Sequence, residues 1–152
     1  MRITKLVLLP LALVMTLVAA DSYVGTWKLD PAKTKYKTGS APKEQTVTIA
    51  ESGGDLDIVV KGTAGDGSPV SSHYTVPAAG GTGKIVESTA YDGISNKRIG
   101  PNERETSYMK GGKVVYTVHS NVSSDGKTLT TRVKGLNSKG QMVEGTNVQV
   151  KQ

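Results

Sequence analysis

The residues of this chain that could do chemistry are few and scattered. There are two histidines, His73 and His119. Each falls on the polar phase of an alternating run, and neither has a histidine or carboxylate two residues away to begin a metal-ligand set. Both therefore read as surface residues. Glu103 and Glu105 stand two apart with Arg104 between them, so a strand projects both carboxylates from one side and the guanidinium from the other. Paired carboxylates do acid and base work when they are buried and close. On an alternating strand a charged outer face is the plainer reading. No nucleophile-elbow, zinc-protease or phosphate-loop pattern occurs, and the glycines are spaced as turns. The chain is expected to have no catalytic residues, no metal ligands and no cofactor.

The remaining constellation is aromatic. Trp27, Tyr74 and Tyr116 fall on the phase that faces inward, and Tyr108 lies on a strand whose phase the sequence leaves open. These four are the candidates to line a cavity for a small apolar molecule, which a closed barrel of about eight to ten strands has room for. Trp27 has a second role open to it, plugging the barrel, and that structural role is favoured, because a buried tryptophan costs about 3–5 kcal/mol to truncate. Of the arginines, Arg132 takes the polar phase. Arg98 sits in a short polar run (SNKRIG) and is the candidate for an inward guanidinium that would need a carboxylate or a ligand's acid group.

The elements that must position these residues are strands. The chain after its first twenty residues shows short alternating runs split by turn residues, with no sustained helical periodicity. The runs fall at 23–30, 45–51, 56–62, 70–76, 84–91, 95–100, 103–110, 113–123, 127–135 and 142–151. Between them stand Gly53-Gly54-Asp55, Asp66-Gly67, Asp92-Gly93, Pro101-Asn102, Gly111-Gly112, Asp125-Gly126 and Ser138-Lys139-Gly140, which suit tight hairpins. Short connections make sequence neighbours antiparallel partners. The expected fold is all-β: an up-and-down meander of nine or ten strands, closed into a barrel because twist accumulates and closure removes unpaired edges. Segment 31–43 reads as an irregular crossing loop interrupted by Pro31 and Pro42, and 77–83 as a loose glycine-rich stretch. Alternation puts Tyr23, Trp27, Leu29, Val47, Ile49, Leu56, Ile58, Val60, Val70, Tyr74, Val114, Tyr116, Val118, Leu129 and Val133 inside. In the last strand Val143 is out of phase with Val148 and Val150, and Gly145 reads as a bulge between them.

Residues 1–20 have the pattern of a signal peptide: Arg2 and Lys5, an apolar run, then Val18-Ala19-Ala20 before Asp21. The apolar run is about 13 residues, against the roughly 20 that span a bilayer. Cleavage after Ala20 is expected to release residues 21–152 as one domain, secreted or periplasmic, monomeric and without a stable membrane anchor. The chain has no cysteine, so core and sheet must supply its stability. Removing Arg2 and Lys5 lowers the formal charge from +6 to +4. A nucleic-acid partner is not expected, because the basic residues are not clustered with stacking aromatics. Lys33, Lys35, Lys37 and Lys43 share one loop and are candidates for weak contact with an anionic surface.

Gly25-Thr26-Trp27 on the first strand resembles the Gly-x-Trp signature of the lipocalin and fatty-acid-binding-protein (calycin) superfamily. The strand rhythm, Asp92-Gly93 closing a strand, the Gly111-Gly112-Lys113 turn and SSDGKTLT follow in similar order. The chain is also similar to small secreted bacterial lipocalin-like proteins that open GTWKL. The resemblance implies a lipocalin-like barrel holding a small hydrophobic or amphipathic ligand without chemistry of its own. Two features depart from fatty-acid-binding proteins. Segment 31–43 leaves no room for their helical lid, and Asn147 and Gln149 stand near the places of their carboxylate-gripping Arg-x-Tyr pair. The alternative is a barrel with a filled core that acts as a protein- or cell-envelope-interaction module.

Overall fold

Valine, isoleucine, threonine and tyrosine populate the alternating runs, and such side chains suit a pleated, half-buried surface. The computed structural model describes residues 20–88 and 90–152, and every regular element among them is a strand. In chain order these are β1 (Gly25–Leu29), β2 (Lys35–Thr38), β3 (Glu44–Ser52), β4 (Asp55–Thr63), β5 (Pro69–Pro77), β6 (Gly81–Thr82), β7 (Lys84–Glu87), β8 (Gly93–Gly100), β9 (Glu103–Lys110), β10 (Lys113–Val122), β11 (Thr128–Leu136) and β12 (Met142–Lys151). The proposed leader, apart from Ala20, lies outside the described residues.

All pairings are antiparallel and the strands join in the order β6-β8-β9-β10-β11-β12-β1-β3-β4-β5-β7. The two ends of that path, β6 and β7, are consecutive in the chain and meet at Gly83, so the sheet curls into a near-closed barrel. Gly83 N–H donates to the Ile94 carbonyl (3.0 Å) across this seam, and Asn96 Nδ2 donates to the Pro77 carbonyl (3.3 Å).

The strand count is twelve among the described residues, which corrects the expected nine or ten. The additions are β2, inside the segment read as an irregular loop, and β6, inside the loose glycine-rich stretch. Both are too short to show alternation. β2 pairs with β12 through Thr38, Tyr36 and Lys35 opposite Glu144, Gly145 and Thr146.

Inward phases agree with the sequence wherever register is continuous. Leu56 and Ile58 are buried on β4, and Val47 and Ile49 on β3. Two strands differ. On β10 an extra residue separates Val114 from Tyr116 in the pairing with β9, which reverses the phase and leaves Val114 58% exposed. On β12 the pairing with β11 runs without a slip from Leu136↔Met142 to Thr128↔Val150, so no phase flip occurs. Val143, Asn147 and Gln149 all face inward, and Val150 faces out. The irregularity at Gly145 concerns only β2.

The Gly-x-Trp stretch has a local explanation. Trp27 is fully buried, its Nε1 donating to the Tyr23 carbonyl (2.8 Å). The Lys151 ammonium lies 5.1 Å from its ring centroid, a cation–π contact. To reach that ring the lysine stem crosses Gly25, where a Cβ would come within 2.5 Å of Lys151 Cε, and Gly25 itself holds φ +140°. A bare backbone is therefore required two residues before the tryptophan. Tyr23, Trp27, Leu56, Val76, Val122 and Leu129 form the floor of the barrel.

Candidate functional site

Above this floor the lumen holds a cavity of about 250 Å³. Loop residues 40–42, 64–65 and 137–138 reach its lining, so its open end is the one framed by the β2–β3, β4–β5 and β11–β12 connections. Lys139 and Asp66 pair across that end, joining the last two of these loops.

All six tyrosines of the chain line this one cavity. The structure brings together Tyr74 and Tyr116, which the sequence phases turned inward, with Tyr108, whose phase the sequence left open, and adds Tyr23, Tyr36 and Tyr91. Tyr36 lies on β2, inside the segment read as a loop, and Tyr91 in the turn before β8, since β7 ends at Glu87 and so is shorter than the run expected at 84–91. The rings of Tyr74, Tyr108, Tyr91 and Tyr116 form a continuous wall. Tyr74 and Tyr108 meet edge to face with centroids 5.6 Å apart, Tyr91 and Tyr108 lie 4.9 Å apart, and Tyr91 and Tyr116 stack at 6.0 Å and 12°. Tyr108 lies 5.6 Å from Tyr116. Such spacings are those of rings in mutual contact.

Their hydroxyls are largely engaged. Tyr108 donates to Tyr74 (2.7 Å), Tyr91 to the Leu136 carbonyl (3.2 Å), and the Tyr23 hydroxyl lies between the carbonyls of Ser120 (2.8 Å) and Asn102 (3.0 Å). Burial raises the pKa of each: Tyr91 to about 12, and Tyr108 and Tyr116 well above the ordinary tyrosine range. At neutral pH the wall is uncharged.

Trp27 is not on the lining. It lies in the floor, and the structural role fits it. Arg98 is not the inward guanidinium: its side chain is 40% exposed, with Nε near the Gly100 carbonyl (3.4 Å) and Nη1 at 3.9 Å from Asp21. Arg104 is the inward one, 3% exposed. It pairs with the buried Asp21 carboxylate through Nη2, donates from Nη1 to the Ala78 carbonyl (2.7 Å) and sits 5.0 Å from the Tyr23 ring centroid. The signal was present in the sequence, since Arg104 takes the opposite face from Glu103 and Glu105. Its carboxylate partner comes from 83 residues away, beyond the reach of any local pattern.

The histidines lie on the outer face, as their phase suggested, and each has a carboxylate partner there. His73 Nε2 lies 2.6 Å from Asp57 Oδ1 and His119 Nε2 lies 2.7 Å from Glu103 Oε1, both on the outer wall and both partly buried. Each partner is a diagonal cross-strand neighbour, set by register. Among the described residues no three His, Asp or Glu side chains gather as a metal set.

The polar part of the lining lies on β12, midway along the strand path and so across the lumen from the seam tyrosines. Asn147 and Gln149 are 4% and 1% exposed. Gln149 Nε2 donates to Gln45 Oε1 (2.8 Å), while Gln149 Oε1 and Asn147 Oδ1 have no protein partner. Sequence alternation missed both because it assigns polar residues to the outside. Of the four loop lysines, Lys35 and Lys37 on β2 line an outer groove with Arg132 and Lys134, whereas Lys33 pairs with Asp30 (3.3 Å).

Comparison with known proteins gives little further. No family model matches the chain. No curated protein matches it either. Among solved structures it is similar to one described as "Structure of a redesigned beta barrel, mFAP1, bound to DFHBI", at 17% identity and a TM-score of 0.42, covering 86% of this chain and 95% of that one. The fold described above rests on the chain's own strand pairing.

Proposed function

We propose that this protein is a lipocalin-like carrier that holds a small amphipathic molecule inside its barrel and performs no chemistry on it. The carrying observation is the convergence of all six tyrosines on one cavity whose lining residues also hold buried, unpartnered amide oxygens. A barrel serving only as a scaffold gains nothing from buried acceptors left unpaired, which cost about 1–3 kcal/mol each. The volume of about 250 Å³ lies just under the roughly 300 Å³ at which drug-sized pockets begin, so the ligand is small and not a long acyl chain. With the leader removed, the carrier would work outside the cytoplasm.

The test is native mass spectrometry of protein purified from its host, combined with amide NMR titration against small neutral compounds. A co-purifying molecule, or shifts confined to lumen residues, supports the carrier. Trp27 fluorescence is a poor reporter, since the indole lies outside the lining. An empty protein that shifts with no compound would overturn the reading in favour of an interaction module. One feature favours that second reading: Leu136 and Met142, paired across β11 and β12, are exposed beside the open end, as is Val114 on β10.

A further inference from the structure

The free acceptors in the lumen define what the ligand must bring. Asn147 and Gln149 stand two apart on β12, so their side chains project from the same face. The bond from Gln149 Nε2 to Gln45 Oε1 fixes the Gln149 amide and leaves its oxygen unpaired. Asn147 Oδ1 is unpaired beside it. Both oxygens are acceptors only, and a buried acceptor is satisfied by an N–H or O–H.

Charge narrows the class. Arg104 is the cation of the lumen lining; Asp21 neutralises its charge through Nη2 and the Ala78 carbonyl takes Nη1, leaving Nε–H as one unpartnered donor. A carboxylate ligand would therefore leave water for a largely apolar cavity without a free counter-charge, which is strongly unfavourable. Shape narrows it again. The tyrosine rings touch one another at 4.9 to 6.0 Å between centroids, leaving no slot between rings for a guest. What they offer is a broad π-surface, against which a flat ring packs well.

We propose that the cavity selects neutral, planar aromatic molecules of about one or two rings that carry an N–H or O–H donor, the rings against the tyrosine wall and the donor on the side-chain oxygens of Asn147 and Gln149. This rests on the carrier reading above and deepens it. A ligand of the same shape without the donor leaves both oxygens unserved.

Indole and benzofuran test this directly, because they share one bicyclic shape and differ in N–H against ring oxygen. Both are titrated by NMR into isotope-labelled protein, following backbone amides of the lumen strands and the side-chain amides of Asn147 and Gln149. The expected result is indole binding about tenfold or more tighter than benzofuran, the range that one unsatisfied buried acceptor implies, with the two side-chain amides shifting. In Asn147→Leu and Gln149→Met, indole should fall toward benzofuran, whose own affinity stays or rises. If a variant does not fold, the wild-type ratio decides alone. Equal affinities would overturn the donor selection while leaving the carrier reading intact, and would mean that water serves the two oxygens. No binding of either compound would overturn the aromatic selection altogether, while co-purification from the host decides the carrier reading separately.

Discussion

Tyr108 donates its hydroxyl hydrogen bond to Tyr74 at 2.7 Å, with the two rings edge to face at 84°, and so ties β9 to β5 across the seam where the sheet closes. The two strands share no backbone ladder; β6, β7 and β8 lie between them. Closure of the barrel thus depends on side chains as well as on the short strands at the seam. Removing either hydroxyl leaves the other buried and unpaired, which costs about 1–3 kcal/mol, whereas removing both is less costly than the sum. Urea unfolding of Tyr74→Phe, Tyr108→Phe and the double variant should give a coupling of about 1 kcal/mol. Additive losses would show that the two hydroxyls act independently.

The same wall makes the fold sensitive to alkali. Burial raises the folded pKa of Tyr91 to about 12, and that of Tyr74, Tyr108 and Tyr116 above the usual value of 10.0. A raised pKa contributes stability that is fully present below the unfolded value. It is lost as pH climbs from there through the folded value, because the unfolded chain releases protons first. Unfolding midpoints should hold steady up to about pH 9 and fall between about pH 10 and 12, with tyrosinate absorbance appearing in step with unfolding. Tyrosinate forming at about pH 10 in a still-folded protein would show that the wall is wet.

What the sequence made legible follows from how alternation works. Leu56, Ile58 and Val60 were readable because β4 pairs in unbroken register with β3 and β5. Val114 was misplaced because one extra residue on β10 reverses a period-2 pattern without altering composition. Asn147 and Gln149 were hidden because alternation equates polar with outside, and this lumen is partly polar. Tyr36 lies in the segment read as a loop, and Tyr91 closes the run at 84–91, of which only Lys84–Glu87 forms a strand among the described residues. The pairings of Arg104 with Asp21 and of His73 with Asp57 depend on closure and register, which a single sequence does not print.

The pair of Arg104 and Asp21 bears on the floor, where Arg104 lies over the Tyr23 ring. Both are nearly excluded from solvent, and breaking such a pair from one side leaves an uncompensated buried charge at about 3–5 kcal/mol. Asp21→Ala should therefore destabilise strongly. Arg104→Met together with Asp21→Ala should recover much of the loss, since a well-packed apolar replacement is often neutral. Chemical denaturation of the three variants checks this, and a double variant as weak as Asp21→Ala alone would mean that shape, not charge, holds the floor.

On the outer wall the expected effect is electrostatic. Lys35, Lys37, Arg132 and Lys134 share one groove, where Glu144 stands 3.8 Å from both Lys37 and Lys134. One carboxylate among four cations leaves a positive surface. Binding to anionic vesicles should weaken as ionic strength rises from about 0.05 to about 0.3 M, where screening shortens to a few ångströms. Lys35→Glu with Arg132→Glu should weaken it at low salt, and Lys33→Glu should matter less because Lys33 already faces Asp30. Co-sedimentation measures this; equal loss in both variants would show that net charge alone governs the contact.

Gly145 offers the most local test of how the mouth is built. It faces inward on β12, and the ring of Tyr36 rests on it: a Cβ at this position would lie 2.4 Å from the ring carbon Cδ2 of Tyr36. The backbone there is not in the left-handed region, so alanine is conformationally acceptable and its cost is steric. β2 has no strand partner on its other side and pairs only with β12, so it yields before the barrel wall does. Gly145→Ala should push Tyr36 off the wall and release β2, with faster hydrogen exchange confined to Lys35–Thr38 and a stability loss of about 1–3 kcal/mol, the range for overpacking. Because Tyr36 belongs to the lining near the open end and its hydroxyl meets the Asn147 amide, the same variant should speed both entry and release of a bound aromatic and move the Asn147 amide shift while leaving that of Gln149 in place. Exchange rising throughout β11 and β12 would instead show that Gly145 supports the wall itself, and that β2 is held by more than the fit of one ring on one bare carbon.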